Sequence, residues 1–469
     1  MLRALCLAVI AAAARGYTWG VHETYGQEKL SFSELYMYGT DRGPWPFTGG
    51  DAFVSVDLKC ALATPYARAN VSVMAFTSPD ELDLGGVDLC APLAVPSHKI
   101  SKLLKHSRSV VTPKLRTATF EVTSDAVSDV RALFEVKASG LQYLAIQVCD
   151  SWTPVMLRVD GEITFKNPYG YLPAMYFGFL PFEGCRFVAF ALFNLYFLVL
   201  LCVYRDRLLP LHWAILLATL TAAAEAGAWF GSYAAMNASG EPLCCPFPKH
   251  VIGAMSLEFL RRTLTRVLLL VVSLGYGLVR AALTRKECLG VLLLLCGYLV
   301  ASIAATVTKV REASDVRGGG ARSATSDLPV LFFDLVFLVW IYTALVHTMD
   351  TLKETGQSYK LGMYAKLSYT IGAFVALVSV LTSIIFASRL GVFEWPWQLY
   401  WLQTVSLEIL NFSVIAAVSV IWRPTENSTL LVSMQQLSAS DDGAGGPASA
   451  ADDDDDAGLE LAEKESTMV

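Results

Sequence analysis

The sequence has little charge. Only 17% of its 469 residues are Asp, Glu, Lys or Arg, whereas 54% are hydrophobic. Soluble globular domains carry about 25% charged residues, so this deficit excludes an ordinary soluble protein and indicates an integral membrane protein. The formal net charge is −6, and the acidic segment from Asp441 to Val469 accounts for that balance. We expect no nucleic-acid partner.

The sequence also lacks the motifs of catalysis and of metal binding. Its six histidines and ten cysteines do not have the spacing of a zinc site. It contains no nucleophile elbow, no phosphate-binding loop and no paired-carboxylate motif. We therefore expect no enzymatic activity, no catalytic residue and no metal ion.

Residues 1–16 are typical of a cleaved signal peptide. Arg3 precedes an apolar run from Leu5 to Ala14 that is rich in small residues and too short to span a bilayer. Cleavage would deliver the following segment to an oxidising lumen, where disulfides form. The candidate cysteines, whose pairing the spacing does not determine, are Cys60, Cys90, Cys149, Cys244 and Cys245.

Residues 17–170 predict a lumenal all-β domain. Short runs of alternating apolar and polar residues suit half-buried strands. These runs are Phe53 to Leu58, Val71 to Phe76, Thr119 to Val122, Leu133 to Val136 and Leu144 to Val148. Asp160-Gly161 suits a two-residue hairpin turn between Val155 to Val159 and Ile163 to Phe165. We expect an antiparallel β-sandwich.

Residues 171–422 predict a bundle of seven transmembrane helices. Each apolar stretch has about the 20 residues that a helix needs to cross a bilayer. The stretches are Cys185 to Tyr204, Leu209 to Met236, Ser256 to Val279, Cys288 to Thr308, Leu328 to Thr348, Ala365 to Ala387 and Pro396 to Trp422. The distribution of Lys and Arg among the loops favours a lumenal N-terminal domain and a cytosolic C-terminus.

Two segments are candidates for modification or for partner binding. The glycosylation sequons at Asn70 and Asn237 both fall on the lumenal side in this orientation. Residues 423–469 predict a disordered, acidic cytosolic tail. Its aspartate run either binds a sorting adaptor or only keeps the tail solvated, and its last residues, Thr467-Met468-Val469, suit a PDZ domain.

The third apolar stretch carries arginines at a depth where charge is costly. Arg262 and Arg266 are four residues apart, so a helix places them on one face. Acidic residues inside other apolar stretches are the candidate partners, namely Glu225, Asp334 and Glu408. We predict that these five residues line a polar, lumen-facing cavity that holds a ligand or passes ions. The alternative is that they only hold the bundle together.

Several long motifs resemble those of one known family. They are NPYGYLP from Asn167, YRDRLLPLHW from Tyr204, RTLTRVLLLVVSLGYGLV from Arg262, FFDLVFLVWIY from Phe332 and WRPTENS from Trp422. This combination resembles the lung seven-transmembrane receptor family, whose members join a Golgi-dynamics (GOLD) domain to seven helices, and in particular the transmembrane protein 87 branch. The resemblance implies a lumenal GOLD-like β-sandwich on a seven-helix membrane bundle and a place in the Golgi membrane, with the endosome or the plasma membrane as alternatives.

Three functions are compatible with these features. The resemblance implies transport between endosomes and the trans-Golgi network, with a bound phospholipid or a lipidated or lumenal protein cargo in the cavity. A cation channel or transporter of the Golgi membrane is the second function, and a ligand-sensing receptor similar to a G-protein-coupled receptor is the third. We favour the trafficking function.

Overall fold

The structure is a computed structural model with an N-terminal β domain followed by a helical bundle. It describes residues 18–25, 31–41, 51–62, 68–78, 116–123, 127–149, 157–241, 247–276, 279, 284–314, 328–389, 392–393 and 395–425. Eight strands precede seven long helices within these ranges. This order confirms the predicted fold class. The predicted signal peptide and nearly all of the predicted acidic tail lie outside the described residues.

The β domain is a sandwich of two four-stranded antiparallel sheets, ordered β1-β8-β3-β6 and β2-β7-β4-β5. The strands are β1 Thr18–Tyr25, β2 Ser31–Met37, β3 Phe53–Leu62, β4 Arg68–Ser78, β5 Arg116–Thr123, β6 Ser128–Glu135, β7 Gly140–Cys149 and β8 Leu157–Lys166. Alternate residues of facing strands fill the core, including Val54 and Val56 of β3 and Val71 and Val73 of β4. This period of two is the pattern that predicted β3 and β4.

The prediction missed β1 and β2 and was wrong about a hairpin turn at Asp160-Gly161. β1 and β2 carry polar residues that interrupt the alternation, such as Glu23 and Ser33. β8 runs through Asp160-Gly161 without turning and pairs with both β1 and β3. Gly161 is needed there for close approach, because a Cβ atom would collide with the carbonyl oxygen of Asp57 in β3.

We expect Gly161→Ala to destabilise the β domain by about 2 kcal/mol or more, since the collision involves backbone that has little room to move. The measurement is thermal unfolding of the purified full-length chain. Gly372→Ala is the matched control, because a Cβ atom there meets nothing within 4 Å. Equal unfolding temperatures for the two variants would contradict this account of β8.

Among the predicted disulfide cysteines, the structure has Cys60 as a free thiol in the core of the sandwich, with 0% of its surface exposed. The structure therefore disagrees with a disulfide at Cys60. Burial raises the pKa of this thiol to about 11. Cys90, Cys244 and Cys245 lie outside the described residues, as does the side chain of Cys149.

The raised pKa of Cys60 predicts that the β domain is less stable at alkaline pH. An unfolded chain loses the thiol proton near the ordinary pKa of 9.0, whereas the folded chain keeps it until about pH 11. The free energy of unfolding should therefore fall as pH rises from the first value to the second and then level off. Chemical unfolding of the wild type and Cys60→Ala over that pH range tests this. The variant should lose this part of the pH dependence. Identical pH profiles of unfolding free energy for the wild type and the variant would contradict a role of the Cys60 thiol.

The bundle contains helices α1 Phe179–Val203, α2 Pro210–Ser239, α3 Lys249–Ser273, α4 Arg285–Ser314, α5 Leu328–Glu354, α6 Ser358–Arg389 and α7 Trp401–Ile421. Six of them are long and apolar enough to cross a membrane. The exception is α3, which carries several charged side chains within its length. All seven overlap the stretches predicted from sequence.

Two helix boundaries differ from the prediction in ways that matter for the site. α1 begins at Phe179 instead of Cys185, and α3 runs from Lys249 to Ser273 instead of from Ser256 to Val279. α3 ends early because Gly275 adopts a left-handed conformation with φ of 80°. The hydroxyl groups of Thr348 and Tyr364 donate hydrogen bonds to carbonyl groups in its last turn.

The β domain sits against one end of the bundle, at the start of α1, the end of α2 and the start of α7. The ring of Trp397, just before α7, lies 5.4 Å from the ring of Tyr36 and 5.0 Å from that of Tyr38, measured between centroids. The backbone N–H of Tyr171 donates to the carbonyl of Asn237 in the last turn of α2. We call this the β-domain end of the bundle.

Candidate functional site

Four helices bring seven charged side chains together near the β-domain end. We call this group the charge cluster. α1 supplies Glu183 and Arg186, α2 supplies Glu225, α3 supplies Glu258, Arg261 and Arg262, and α7 supplies Glu408. Arg186 and Glu408 each lie seven residues after the first residue of their helix, which is a depth of about 10 Å.

Arg186 connects α1 with α2 and α7. Its Nη2 atom lies 2.8 Å from Glu183 Oε2, one helical turn away, and 3.2 Å from Glu225 Oε1. Its Nη1 atom donates a hydrogen bond of 2.9 Å to Glu408 Oε2. One guanidinium group therefore contacts three carboxylates.

Arg261 approaches the same two acidic residues, Glu225 and Glu408, from α3. Its Nε atom lies 2.5 Å from Glu225 Oε2, and its Nη2 atom donates to Glu408 Oε2 at 2.9 Å. Glu225 and Glu408 are thus each held between two arginines. Because desolvated ionisable side chains are tolerated only when they are closely paired, this arrangement explains how an apolar bundle accommodates these side chains.

The cluster has a buried inner half and a partly exposed outer half. The side chains of Glu183, Arg186, Glu225 and Arg261 are 2% to 8% exposed and form the inner half. Arg262 is 29% exposed and pairs with Glu258, which is 12% exposed and accepts a hydrogen bond of 3.2 Å from the Trp229 indole. The side chain of Glu408 is 14% exposed and connects the two halves. Its Oε2 atom contacts Arg186 and Arg261, and its Oε1 atom lies 4.0 Å from Arg262.

Arg266 belongs to a separate ion pair. Its Nε atom donates to Asp334 Oδ1 of α5 at 2.6 Å, and its guanidinium carbon lies 4.3 Å from the centroid of the Tyr298 ring of α4. The guanidinium therefore has both a salt bridge and a cation–π contact. Arg262 and Arg266 share a face of α3, as predicted, but they contact different partners.

A row of aromatic rings connects the β-domain end with the cluster. Centroid distances are 6.1 Å from Tyr176 to Phe179, 5.7 Å from Phe179 to Tyr233 and 5.6 Å from Tyr233 to Trp229. Trp229 then reaches Glu258 through its indole hydrogen bond. This aromatic row spans α1 and α2 and ends at the outer half of the cluster.

All five residues predicted for the cavity take part in ion pairs. Arg266 contacts Asp334, and Arg262 lies near Glu408, but Glu225 pairs with Arg186 and Arg261 instead. The cavity itself stays a prediction. Among the described residues, no group of His, Cys, Asp and Glu side chains is arranged to hold a metal ion.

Sequence reasoning missed Glu183, Arg186, Glu258 and Arg261 as members of the site. Arg186 was visible as a charge inside the first apolar stretch, and Glu258 precedes Arg262 by the four residues that favour an ion pair along a helix. Arg261, directly before Arg262, lies on a different face of α3 from the one that Arg262 and Arg266 share. The neighbouring helices decide which face points inward, and the sequence does not show their positions.

The predicted glycosylation sites differ in their surroundings. Asn70 lies in β4 between β5 and β7, and its modification stays a prediction. Asn237 lies in the last turn of α2, where its side-chain amide donates to the carbonyl of Tyr169 and accepts from the N–H of Leu172. Its modification likewise stays a prediction.

We expect Arg261→Ala to lower bundle stability by about 3–5 kcal/mol, because Glu225 and Glu408 would each lose a buried partner. Arg266→Ala should cost less, because the Arg266–Asp334 pair is partly exposed at 26% and 35%. Thermal unfolding of the purified protein gives this order. Adding Glu225→Gln to Arg261→Ala should recover part of the loss, and no recovery would show that uncompensated charge is not its cause.

The chain is similar in sequence to a described membrane-protein family. The family described as "GOST, seven transmembrane domain" matches residues 179–429, which is more than half of the chain. The match includes all seven helices and every residue of the charge cluster. α3 therefore lies within the seven-transmembrane domain despite its charges.

Individual relatives agree with this match. Transmembrane protein 87B of Mus musculus is 22% identical over 299 residues, which cover 62% of this chain and 51% of the relative. Membrane protein PTM1 of Saccharomyces cerevisiae (strain YJM789) is 24% identical over 344 residues, covering 71% and 62%. Transmembrane protein 87A of Homo sapiens is 24% identical over 277 residues, covering 57% and 46%.

The chain thus spans about half the length of the curated relatives it matches. The resemblance drawn from the sequence motifs is confirmed by both kinds of similarity. The chain belongs to the GOST seven-transmembrane family, which includes the transmembrane protein 87 branch, and it is a multi-pass membrane protein.

Proposed function

We propose that the protein acts in membrane trafficking of the Golgi and secretory pathway by binding a phospholipid, or the lipid of a lipidated cargo, at the outer half of the charge cluster. The observation that carries this proposal is the division of the cluster. Glu225 and Arg261 are closed off from solvent, whereas Arg262, Glu258 and Glu408 keep exposed surface.

The mixed charge of the outer half suits a zwitterionic head group. A phosphate group favours a guanidinium partner such as Arg262, because the two form charge-assisted hydrogen bonds. An ammonium group favours carboxylates, which Glu258 and Glu408 provide next to Arg262. Trp229, which donates to Glu258, adds an aromatic surface that attracts cations.

The inner half would position this site without binding the ligand itself. Arg186 and Arg261 both use Glu408 Oε2, so the carboxylate of α7 is fixed relative to α1 and α3. A site preorganised in this way loses little freedom when it binds. The resemblance to the transmembrane protein 87 branch supports the Golgi and transport part of the proposal.

A cation channel or transporter is the second candidate. The cluster contains four carboxylates and three guanidinium groups, and this acidic excess favours cations. Against conduction, Glu225 and Glu408 each lie between two arginines, which repel a passing cation. The geometry therefore supports ligand binding better.

We expect the purified protein to retain phospholipid, and Arg262→Ala to lose most of it, because the phosphate would lose its guanidinium partner. Native mass spectrometry, with lipid extraction from the same sample, measures the bound fraction. Arg158→Ala is the matched control, since Arg158 is 70% exposed on the β domain and pairs with Asp160. Equal retention by both variants would contradict a phosphate contact at Arg262.

Ion flux in proteoliposomes separates the two candidates. The binding function predicts no flux from correctly inserted protein, and none from Glu408→Gln. A cation flux that changes with Glu408→Gln would favour the channel and count against the binding function as the main role of the cluster.

A further inference from the structure

The joint between the β domain and the bundle is built around Asn237. The Nδ2 atom of Asn237 donates to the carbonyl of Tyr169 at 2.9 Å, and its Oδ1 atom accepts from the N–H of Leu172 at 3.2 Å. The backbone carbonyl of Asn237 accepts from the N–H of Tyr171 at 3.0 Å. A single residue of α2 thus binds three residues of the connector, by which we mean residues 167–173 between β8 and α1.

Two glycines allow the connector and the end of α2 to approach each other closely. Gly170 has φ of 141°, and a Cβ atom there would collide with Oδ1 of Asn237. Gly240, which ends α2 in a left-handed conformation with φ of 75°, packs against the ring of Tyr171. Both glycines are therefore required where the connector passes the end of α2.

A second asparagine connects the same segment to the β domain. Asn167 is 0% exposed, and its Oδ1 atom accepts from the N–H of Tyr38 at 2.8 Å. Its Nδ2 atom donates to the carbonyl of Leu172 at 2.9 Å. Leu172 is therefore bonded to Asn167 through its carbonyl and to Asn237 through its N–H, so the two asparagines hold one residue from opposite sides.

Aromatic packing closes the joint on the side of α7. The Tyr38 ring contacts Tyr169 and Phe177, with centroids 6.1 Å and 6.4 Å away, in addition to Trp397. The space around Gly178, just before α1, is filled by the ring of Trp401. The β domain is consequently fixed to the same three helices that carry Glu183, Arg186, Glu225 and Glu408.

We propose that the hydrogen bonds of Asn237 fix the β domain to the bundle. We further propose that Asn237 is not a glycan acceptor, although Asn237-Ala-Ser has the sequence of one. A glycan would be attached to Nδ2, the atom that donates to Tyr169. Attachment would also place a bulky group where the connector, Gly170 and α2 meet. This inference does not depend on what the charge cluster binds.

Substitutions at Asn237 and Ser239 separate the hydrogen bonding of Asn237 from the glycosylation sequon that it begins. Ser239→Ala destroys the sequon but leaves the amide of Asn237 in place, whereas Asn237→Ala destroys both. Asn237→Asp keeps an acceptor for Leu172 and loses the donor to Tyr169, so it provides an intermediate case that is close in size. All three are made in the full-length chain and expressed in cells that glycosylate secreted proteins.

Hydrogen exchange of the connector, followed by mass spectrometry, is the decisive measurement. We expect the amides of Tyr171 and Leu172 to exchange roughly tenfold faster in Asn237→Ala, which corresponds to ~1.4 kcal/mol of local opening, and at the wild-type rate in Ser239→Ala. Asn237→Asp should lie between the two. Glycopeptide analysis of the wild type should find residue 237 unmodified.

Two results would overturn the proposal. One is a glycan on Asn237 in the folded protein. The other is an exchange rate in the connector of Asn237→Ala equal to that of the wild type, since side-chain hydrogen bonds that can be removed without consequence do not fix the domain. If Asn237→Ala does not fold, Asn237→Asp is compared with Ser239→Ala instead. Equal exchange rates in those two variants would contradict the proposal that Asn237 fixes the β domain.

Discussion

The bundle depends on two arginines that share two glutamates. Arg186 of α1 and Arg261 of α3 both contact Glu225 and Glu408, so one closed set of ion pairs joins four helices. In hydrocarbon, a lone charge costs several kcal/mol or more, and these helices can only pack in positions where every charge meets its partner. The cluster therefore restricts the relative positions of α1, α2, α3 and α7 more strongly than apolar packing, which many arrangements satisfy.

This restriction continues into the β domain. The start of α1, the end of α2 and the segment before α7 form the joint, and these helices also carry Arg186, Glu225 and Glu408. The aromatic row from Tyr176 to Trp229 runs between the joint and the cluster. A rearrangement of the joint would have to move helices whose ion pairs cost free energy to break. The joint and the charge cluster are therefore mechanically connected through rigid elements.

The sequence predicted the elements better than their contacts. Period-two alternation identified most strands, and apolar length identified seven helices, because both signals are local. Asp160-Gly161 misled the prediction because the need for Gly161 comes from Asp57, a residue about a hundred positions away that only the sheet brings near. In the same way, the arginines of α3 showed that acidic partners must exist, but the choice of Arg261 over Arg266 as the partner of Glu225 depends on helix rotation. That rotation is determined by packing of all the neighbours at once.

The geometry also limits which residues of the cluster can respond to a ligand. The four inner side chains are almost fully buried, and breaking their pairs would leave unpaired charge in the bundle. Glu408 is in a different position, since both arginines bind its Oε2 atom while its Oε1 atom lies 4.0 Å from Arg262. A polar group that reaches Arg262 can compete for that longer contact while the two shorter ones stay in place. Function at this site is therefore expected to act through Arg262 and one oxygen of Glu408, with the rest of the cluster keeping α7 in position.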